Sequence, residues 1–283
     1  MAYAFGYDPT DFESDEDESY NEAATGAGRR DKNEKTDQVE LPNTIKDMDK
    51  MDIATLEKLG WMEPLGYRAL SEVTGLRPPT LRSHFWASKL SPVSSLYQDI
   101  DYYFRNSHSV THGVNLRMTR VIELKRYNEN NSDYKVPNVR LLWHGTQTGN
   151  VAGILTNGFR LPTHHGMFGP GVYFADRVSK SAQYCRVSTG RGSKGILFLC
   201  AVNLGRIYET PSGTVHAPPH GFDSVMGRGT HVPDPNDMRS HRGAMMPCGR
   251  TITAVGGGLF HNEFIVYDLS KIAILFLIEF EYL

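Results

Sequence analysis

Apolar residues recur at helical spacing along residues 45–105, and this pattern predicts a short, compact helical segment. One helix begins at Asp52, and a second ends before Gly75, whereas Pro78 and Pro79 are expected to break the chain. A stronger helix is predicted over residues 94–105. The apolar positions that define these helices are Leu56, Leu59, Leu65, Tyr67, Leu70, Val73, Leu96, Ile100, Tyr103 and Phe104.

From residue 111 onward, short β-like runs alternate with glycine-rich turns and two short helices. Strands are predicted over residues 114–124, 139–143, 172–174, 195–204, 263–267 and 272–282, and helices over 149–157 and 177–185. Many short strands with small helices between them favour an α+β class over a doubly wound α/β fold. No GxGxxG turn opens a helix after a strand, and no GxxxxGK[ST] loop occurs, so any dinucleotide would be bound by another arrangement.

Charge is distributed unevenly between the ends of the chain. Residues 1–40 hold 12 acidic and 4 basic residues, whereas residues 41–283 hold 20 acidic and 26 basic ones. The sequence therefore predicts a disordered acidic tail over 1–44, a short helical subdomain over 45–105 and a main domain over 106–283. The tail is either a solubilising segment or a regulatory, self-modified one.

The cysteine count and the amino terminus limit the cellular environment. Cys185, Cys200 and Cys248 show neither CxxC pairing nor metal-ligand spacing with histidine, as is usual in a reducing compartment, and no metal site is expected. The acidic amino terminus lacks the apolar core of a signal peptide, and no apolar run reaches membrane-spanning length. We therefore expect an intracellular protein, nuclear or cytoplasmic, that is not secreted and has no membrane partner.

Three segments carry candidate chemistry, and each residue in them also has a plain structural interpretation. In LLWHGTQTGNVAGIL, His144 and Gly145 directly follow a buried strand, where the histidine is either a ligand-binding group or an ordinary structural residue. In GMFGPGVYFADRVSKSAQYC, Ser181 and Tyr184 share a helix face that suits a flat amide-bearing ring, although a solvated serine and a core tyrosine would also fit. In FHNEFIVYD, Glu263 opens an apolar strand, either at a site or at a surface edge.

Taken in order, these segments resemble the catalytic domain of the poly(ADP-ribose) polymerases over about residues 94–283. The resemblance extends from DIDYYFRNSHSVTH through LLWHGTQTGNVAGIL, GVYFADRVSKSAQYC and GRGTHVPDP to HNEFIVYD. It implies a split β-sheet that binds NAD⁺ as a co-substrate, without a metal. The residues that it assigns to catalysis are His144, Tyr173, Lys180 and Glu263. Those that it assigns to NAD⁺ binding are His144, Gly145, Asn150, Gly153, Arg160, Tyr173, Phe174, Ala175, Ser181 and Tyr184.

The resemblance also assigns roles within that site. His144 would hydrogen-bond the adenosine ribose, and Gly145 with Ser181 would hold the nicotinamide carboxamide. Tyr173 and Tyr184 would flank the nicotinamide ring. Lys180 and Glu263 would lie at the reacting ribose, with Glu263 bonded to its 2-hydroxyl, and Arg160 would lie near the adenine.

A glutamate at position 263 is what the chain-elongating members of the family carry, and Met167 and His261 match positions on the acceptor side. We therefore expect poly-ADP-ribosylation of protein acceptors, with self-modification possible. His261, Pro170 and the short loop 161–166 depart from the usual pattern. The alternatives are a mono-ADP-ribosyltransferase acting on protein or nucleic-acid ends and an inactive NAD⁺- or ADP-ribose-binding scaffold. A phosphotransferase that uses NAD⁺ on RNA would need Arg/His groups for a 2′-phosphate, and the sequence does not show them. We expect a monomer with weak or no autoinhibition, for which nucleic acid is an optional activator or acceptor.

Overall fold

Two β-sheets, joined by backbone hydrogen bonds between Trp143 and Ala175, organise the described part of the chain. A computed structural model describes residues 62–127, 134, 136–163 and 166–283. The helices in this part are α1 (Met62–Thr74), α2 (Pro78–His84), α3 (Ser95–Asn106), α4 (Thr148–Asn157) and α5 (Val178–Gln183), with 3₁₀ turns at Val110–His112 and Leu269–Lys271.

The larger sheet has seven strands in the order β1-β2-β13-β5-β3-β10-β9. Its central strands are antiparallel, and the pair β3–β10 is parallel. The strands are β1 (Phe85–Lys89), β2 (Leu116–Arg126), β3 (Val139–Gly145), β5 (Lys194–Asn203), β9 (Met238–His241), β10 (Ala244–Pro247) and β13 (Ile272–Tyr282).

The smaller sheet has four strands in the order β4-β12-β7-β6, and a separate ribbon is formed by β8 and β11. These strands are β4 (Val172–Phe174), β6 (Ile207–Thr210), β7 (Ser224–Gly227), β8 (His231–Pro233), β11 (Thr251–Thr253) and β12 (Glu263–Val266). Trp143 at the end of β3 and Ala175 after β4 exchange two backbone hydrogen bonds of 2.9 Å, which join the two sheets. This is the split-sheet α+β architecture that the sequence predicts.

The hydrophobic core lies on both faces of the larger sheet. Helices α1, α2 and α4 cover one face, where Tyr67, Leu81 and Val151 are buried. Helices α3 and α5 cover the other face, where Tyr103 and Trp143 pack with ring centroids 4.8 Å apart. Burial on both faces explains why β3, β5 and β13 are apolar along most of their length.

Two expectations for the segment before residue 106 are wrong in detail. Pro78 and Pro79 do not break the chain but begin α2, because proline is well suited to the first helical turn, where its missing N–H is not needed. Residues 85–89 are not helical: β1 pairs with β2 at the edge of the larger sheet. The helix predicted from Asp52 lies outside the described residues, and the division into domains remains a prediction.

The remaining predicted elements are found, with shifts of one to a few residues at their ends. Ser94 caps α3 by accepting a hydrogen bond from the Tyr97 N–H at 3.2 Å. Strands β6 to β11 were not anticipated from the sequence. Within the described residues, no helix is both long and apolar enough to cross a membrane.

Candidate active site

His144 lies at the end of β3, where its imidazole is fixed by the neighbouring strand β4. Its Nδ1–H donates a hydrogen bond of 2.8 Å to the Tyr173 carbonyl oxygen, and its ring packs against Phe159 and Phe174. Burial lowers the pKa of His144 to about 4, so the ring is neutral at pH 7. A neutral ring that donates through Nδ1 presents Nε2 as a hydrogen-bond acceptor, which suits a hydroxyl group of a ligand.

Gly145, the last residue of β3, lies directly beneath α5. A Cβ atom at this position would overlap the backbone carbonyl of Ser181, so only glycine permits this approach of strand and helix. The Ser181 side chain is buried and donates a hydrogen bond of 3.1 Å from its Oγ to the Trp143 carbonyl oxygen. The solvated-serine interpretation is therefore excluded.

Tyr173 projects from β4, and its hydroxyl is held by the preceding turn. The hydroxyl accepts from the Phe168 N–H at 2.8 Å and donates to the Gly169 carbonyl at 2.9 Å. Burial raises the pKa of Tyr173, and the nearby Glu263 carboxylate adds to this effect. The hydroxyl thus remains protonated and anchors the aromatic ring.

Tyr184 is the C-cap residue of α5 and is 58% exposed, so it is not a core aromatic. This exposed ring lies three residues after the buried Ser181. Partial burial raises the pKa of Tyr184, and the Glu263 carboxylate is close enough to add to this effect, so a flat surface is open to solvent near Glu263. Such a surface is suited to stacking on a planar ligand.

Glu263 opens β12 and forms an ion pair with Lys180 of α5. The distance from Lys180 Nζ to Glu263 Oε1 is 2.6 Å, and the two side chains are only 15% and 17% exposed. Lys180 Nζ also donates to the Asn262 carbonyl at 3.4 Å. Because the lysine holds one carboxylate oxygen, the other can accept a hydrogen bond from a ligand hydroxyl.

The other residues that the resemblance assigns to NAD⁺ binding differ in their contacts and exposure. Asn150 in α4 donates to Thr146 Oγ1 at 3.1 Å, and no side-chain atom would obstruct a Cβ at Gly153. Phe174 is buried and Ala175 forms the bridge between the sheets, whereas Arg160 is exposed.

The two residues that the resemblance assigns to the acceptor side differ in their exposure. Met167 is 47% exposed, whereas His261 is 2% exposed. The His261 ring lies 4.8 Å from the ring of His112, and its Nδ1–H donates to the His231 carbonyl at 3.0 Å. Burial lowers the pKa of His261 and lowers that of His112 to about 4, so both rings are neutral at pH 7.

A buried polar network that was not predicted from the sequence includes Asn262, the residue before Glu263. Asn262 donates from Nδ2 to Asp176 Oδ2 at 2.8 Å and accepts from the Gly229 N–H at 2.9 Å. Arg177 is fully buried, lies 3.5 Å from Asp176 and donates to the Gly249 carbonyl. In the sequence, the only sign of this network is the charged pair Asp176 and Arg177, which lies between β4 and α5. Among the described residues, no cluster of three or more His, Cys, Asp or Glu could hold a metal ion.

The chain is similar to known proteins over most of its length. Residues 94–282 match the family model described as the poly(ADP-ribose) polymerase catalytic domain. The chain is 34% identical over 255 residues to poly [ADP-ribose] polymerase 2 of Arabidopsis thaliana. The aligned residues make up 82% of this chain and 39% of that protein. It is 37% identical over 206 residues to poly [ADP-ribose] polymerase of Drosophila melanogaster, covering 67% of this chain and 20% of that protein.

Poly [ADP-ribose] polymerase 1 of Gallus gallus is 36% identical over 196 residues, which cover 65% of this chain and 19% of that protein. The chain therefore spans between about a fifth and two fifths of the length of these relatives. The family match covers well over half of the chain, and it includes His144, Tyr173 and Glu263. The chain belongs to the poly(ADP-ribose) polymerase catalytic-domain family.

Proposed function

We propose that this protein is an NAD⁺-dependent ADP-ribosyltransferase that builds chains of ADP-ribose on protein acceptors. The observation that carries the proposal is the ion pair between Lys180 and Glu263 at the head of β12, 2.6 Å long and largely shielded from water. Glu263 lies on β12, which pairs with β4, the strand that carries Tyr173. A fixed carboxylate in such a cleft stabilises positive charge that develops on a bound sugar.

The residues present fit NAD⁺. The acceptor atom Nε2 of His144 suits the adenosine ribose, while the close approach of Gly145 and Ser181 suits the nicotinamide carboxamide. Tyr173 and the exposed Tyr184 provide aromatic surfaces for the nicotinamide ring. The remaining oxygen of Glu263 is available to accept a hydrogen bond from the 2-hydroxyl of the reacting ribose.

In the proposed reaction, the bond between the ribose carbon and the nicotinamide nitrogen breaks, and the electron pair leaves with nicotinamide. The departing ring is neutral, so no acid is needed to protonate it. The ribose carbon gains oxocarbenium character, as in glycoside cleavage. Glu263 stabilises this charge and orients the acceptor hydroxyl, whose oxygen forms the new bond to the carbon while its proton passes to solvent water.

Chain extension, rather than a single transfer, is proposed because position 263 holds a carboxylate that can orient an incoming sugar hydroxyl. We also propose that protein side chains start the chain, including those of this protein itself. The chain has only three cysteines, all of them buried, and this sparse and odd count supports a location inside the cell. A monomer that works without a metal is part of the same proposal.

The test is incubation with labelled NAD⁺, followed by measurement of nicotinamide release and separation of the products by size. A ladder of products supports chain extension, whereas products of one added unit identify a mono-ADP-ribosyltransferase. Failure to release nicotinamide, with NAD⁺ still bound, would identify a binding scaffold and overturn the proposed activity.

A further inference from the structure

Asn262 is a buried polar residue that lies directly before Glu263 in the chain. Its side-chain Nδ2 donates a hydrogen bond to Asp176 Oδ2 at 2.8 Å, and its Oδ1 accepts one from the Gly229 N–H at 2.9 Å. Its main-chain carbonyl oxygen accepts from Lys180 Nζ at 3.4 Å. Asn262 is therefore connected to both members of the proposed catalytic pair, to Glu263 by the peptide bond and to Lys180 by a hydrogen bond.

The side-chain amide of Asn262 fits its two partners in one orientation only. A carboxylate such as Asp176 accepts hydrogen bonds, whereas the Gly229 N–H donates one. The Nδ2 group must therefore face Asp176, and Oδ1 must face Gly229. A leucine of similar shape would make neither bond, and an aspartate would place a second carboxylate against Asp176. This position thus needs a donor and an acceptor on one short side chain, which asparagine supplies.

The backbone at Gly229 limits how far Asn262 can move. A Cβ atom at Gly229 would lie 2.5 Å from the carbonyl carbon of His261 and 2.6 Å from the backbone nitrogen of Asn262. The two backbone segments are therefore in direct contact, with no side chain between them. Because backbone atoms cannot rotate away as a side chain can, the segment before Glu263 has a fixed wall on this side.

Asp176, on the other side of Asn262, is itself held in place by Arg177. Both side chains are buried, and the Arg177 Nε lies 3.5 Å from Asp176 Oδ1. Arg177 also donates to the carbonyl oxygens of Asn106 and Gly249 at 3.2 and 3.3 Å, and to Thr251 Oγ1 at 3.1 Å. A buried carboxylate is stabilised when a cation and hydrogen-bond donors surround it. Asp176 is therefore an anchor that is tied to the end of α3 and to the start of β11.

We propose that Asn262, held by Asp176, is a positioning residue that keeps Glu263 and Lys180 in the geometry that the reaction needs. This inference rests on the proposed transferase function. Lys180 alone cannot fix Glu263, because a lysine charge is carried on a flexible four-carbon stem. A carboxylate stabilises a developing positive charge best when it is fixed in advance, and a displacement of about 1 Å can lower a rate about 10²-fold.

The first test is Asn262→Ala, which removes both side-chain hydrogen bonds without leaving a charge. We expect kcat for nicotinamide release to fall about 10- to 100-fold, whereas the Kd for NAD⁺ should not change. Asn262→Ser should behave in the same way, since one hydroxyl cannot reach both partners. A loss of NAD⁺ binding in parallel with kcat would overturn the proposal, because it would mean a general distortion of the site.

Asn203→Ala is the matched control for these variants. The Asn203 Oδ1 accepts a hydrogen bond from the Gly205 N–H at 3.1 Å, so this variant also removes a side-chain hydrogen bond of an asparagine. Asn203 lies opposite Val139, at the end of β3 that is remote from Gly145. Its kcat should equal that of wild type, and a loss as large as that of Asn262→Ala would overturn the proposal.

A double variant separates positioning from a general structural role. In a Glu263→Gln background, Asn262→Ala should cause no further loss of kcat, because the carboxylate that Asn262 positions is already absent. An equal fractional loss in both backgrounds would overturn the proposal, since Asn262 would then affect the rate independently of Glu263.

Crystal structures provide a measurement that does not depend on activity. The distance from Lys180 Nζ to Glu263 Oε1, 2.6 Å here, should exceed the ion-pair limit of about 4 Å in Asn262→Ala. An unchanged ion pair would overturn the positioning role even in an active enzyme. If the wild-type protein releases no nicotinamide but the pair separates in the variant, the positioning role is supported and the proposed function alone fails.

Discussion

Glu263 combines a position at the head of a buried strand with a close cationic partner, and its charge is what the proposed chemistry needs. Glu263→Gln keeps the shape of the side chain but removes the carboxylate. We expect unchanged NAD⁺ affinity and a loss of about 10²–10³ in the rate of transfer, the usual effect of removing one preorganised charge-stabilising group. Glu209→Gln, at an exposed glutamate paired with Arg228, is the control. Near-normal nicotinamide release from Glu263→Gln would contradict the role proposed for this residue.

His144 gives a prediction about pH. Its folded-state pKa of about 4 lies below the ordinary value of about 6.5, because burial disfavours the charged ring. As the pH falls between these values, the unfolded chain takes up a proton that the folded chain does not, so the free energy of unfolding decreases. Urea unfolding at several pH values should show a steeper acid loss for wild type than for His144→Gln. Parallel pH profiles would show that this ring is not the group responsible.

At the scale of elements, the contact between β3 and α5 forms one wall of the proposed cleft. Gly145→Ala places a methyl group against the Ser181 backbone, which is not a flexible side-chain end and cannot easily move. We expect lower thermal stability and a large loss of NAD⁺ binding. Gly149→Ala in α4 is the matched control, since its Cβ meets no atom within 4 Å and alanine favours a helix by roughly 1 kcal/mol. A Gly145→Ala protein with wild-type stability and NAD⁺ affinity would contradict this view of the wall.

The strands show which parts of the structure could be predicted from the sequence. Strands β5 and β13 are long and apolar, so periodicity and length were sufficient to identify them. The short strands β8 and β11 were missed because they are three residues long and only partly buried. At the site, ordered motifs marked where His144 and Glu263 lie in the chain. The Asp176–Arg177–Asn262 network escaped notice because its partners come from distant segments.

At the scale of the whole molecule, the two sheets meet at the Trp143–Ala175 bridge, and the residues of the candidate site are arranged around it. His144 and Gly145 follow Trp143 on the larger sheet. Tyr173 precedes Ala175 on the smaller sheet, and Glu263 lies on the adjacent strand. A ligand that contacts both groups must therefore span the split between the sheets. Under the proposed function, NAD⁺ would span this split without a glycine-rich phosphate loop at the start of a helix.

The positions of α1 and α2 lead to a prediction about regulation of this chain. Both helices pack against β1, and Tyr67 of α1 donates from its hydroxyl to the Phe85 carbonyl at 2.8 Å. Among the described residues, these helices form no hydrogen bond or ion pair with Lys180 or Glu263. A helix can restrain the reaction only if it favours a conformation in which the proposed cleft cannot bind or react. We therefore expect the rate of NAD⁺ consumption to be the same with and without broken DNA. Measuring nicotinamide release with intact, nicked and blunt-ended DNA tests this expectation. A strong stimulation by broken ends alone would show that a segment of this chain restrains the cleft until DNA binds.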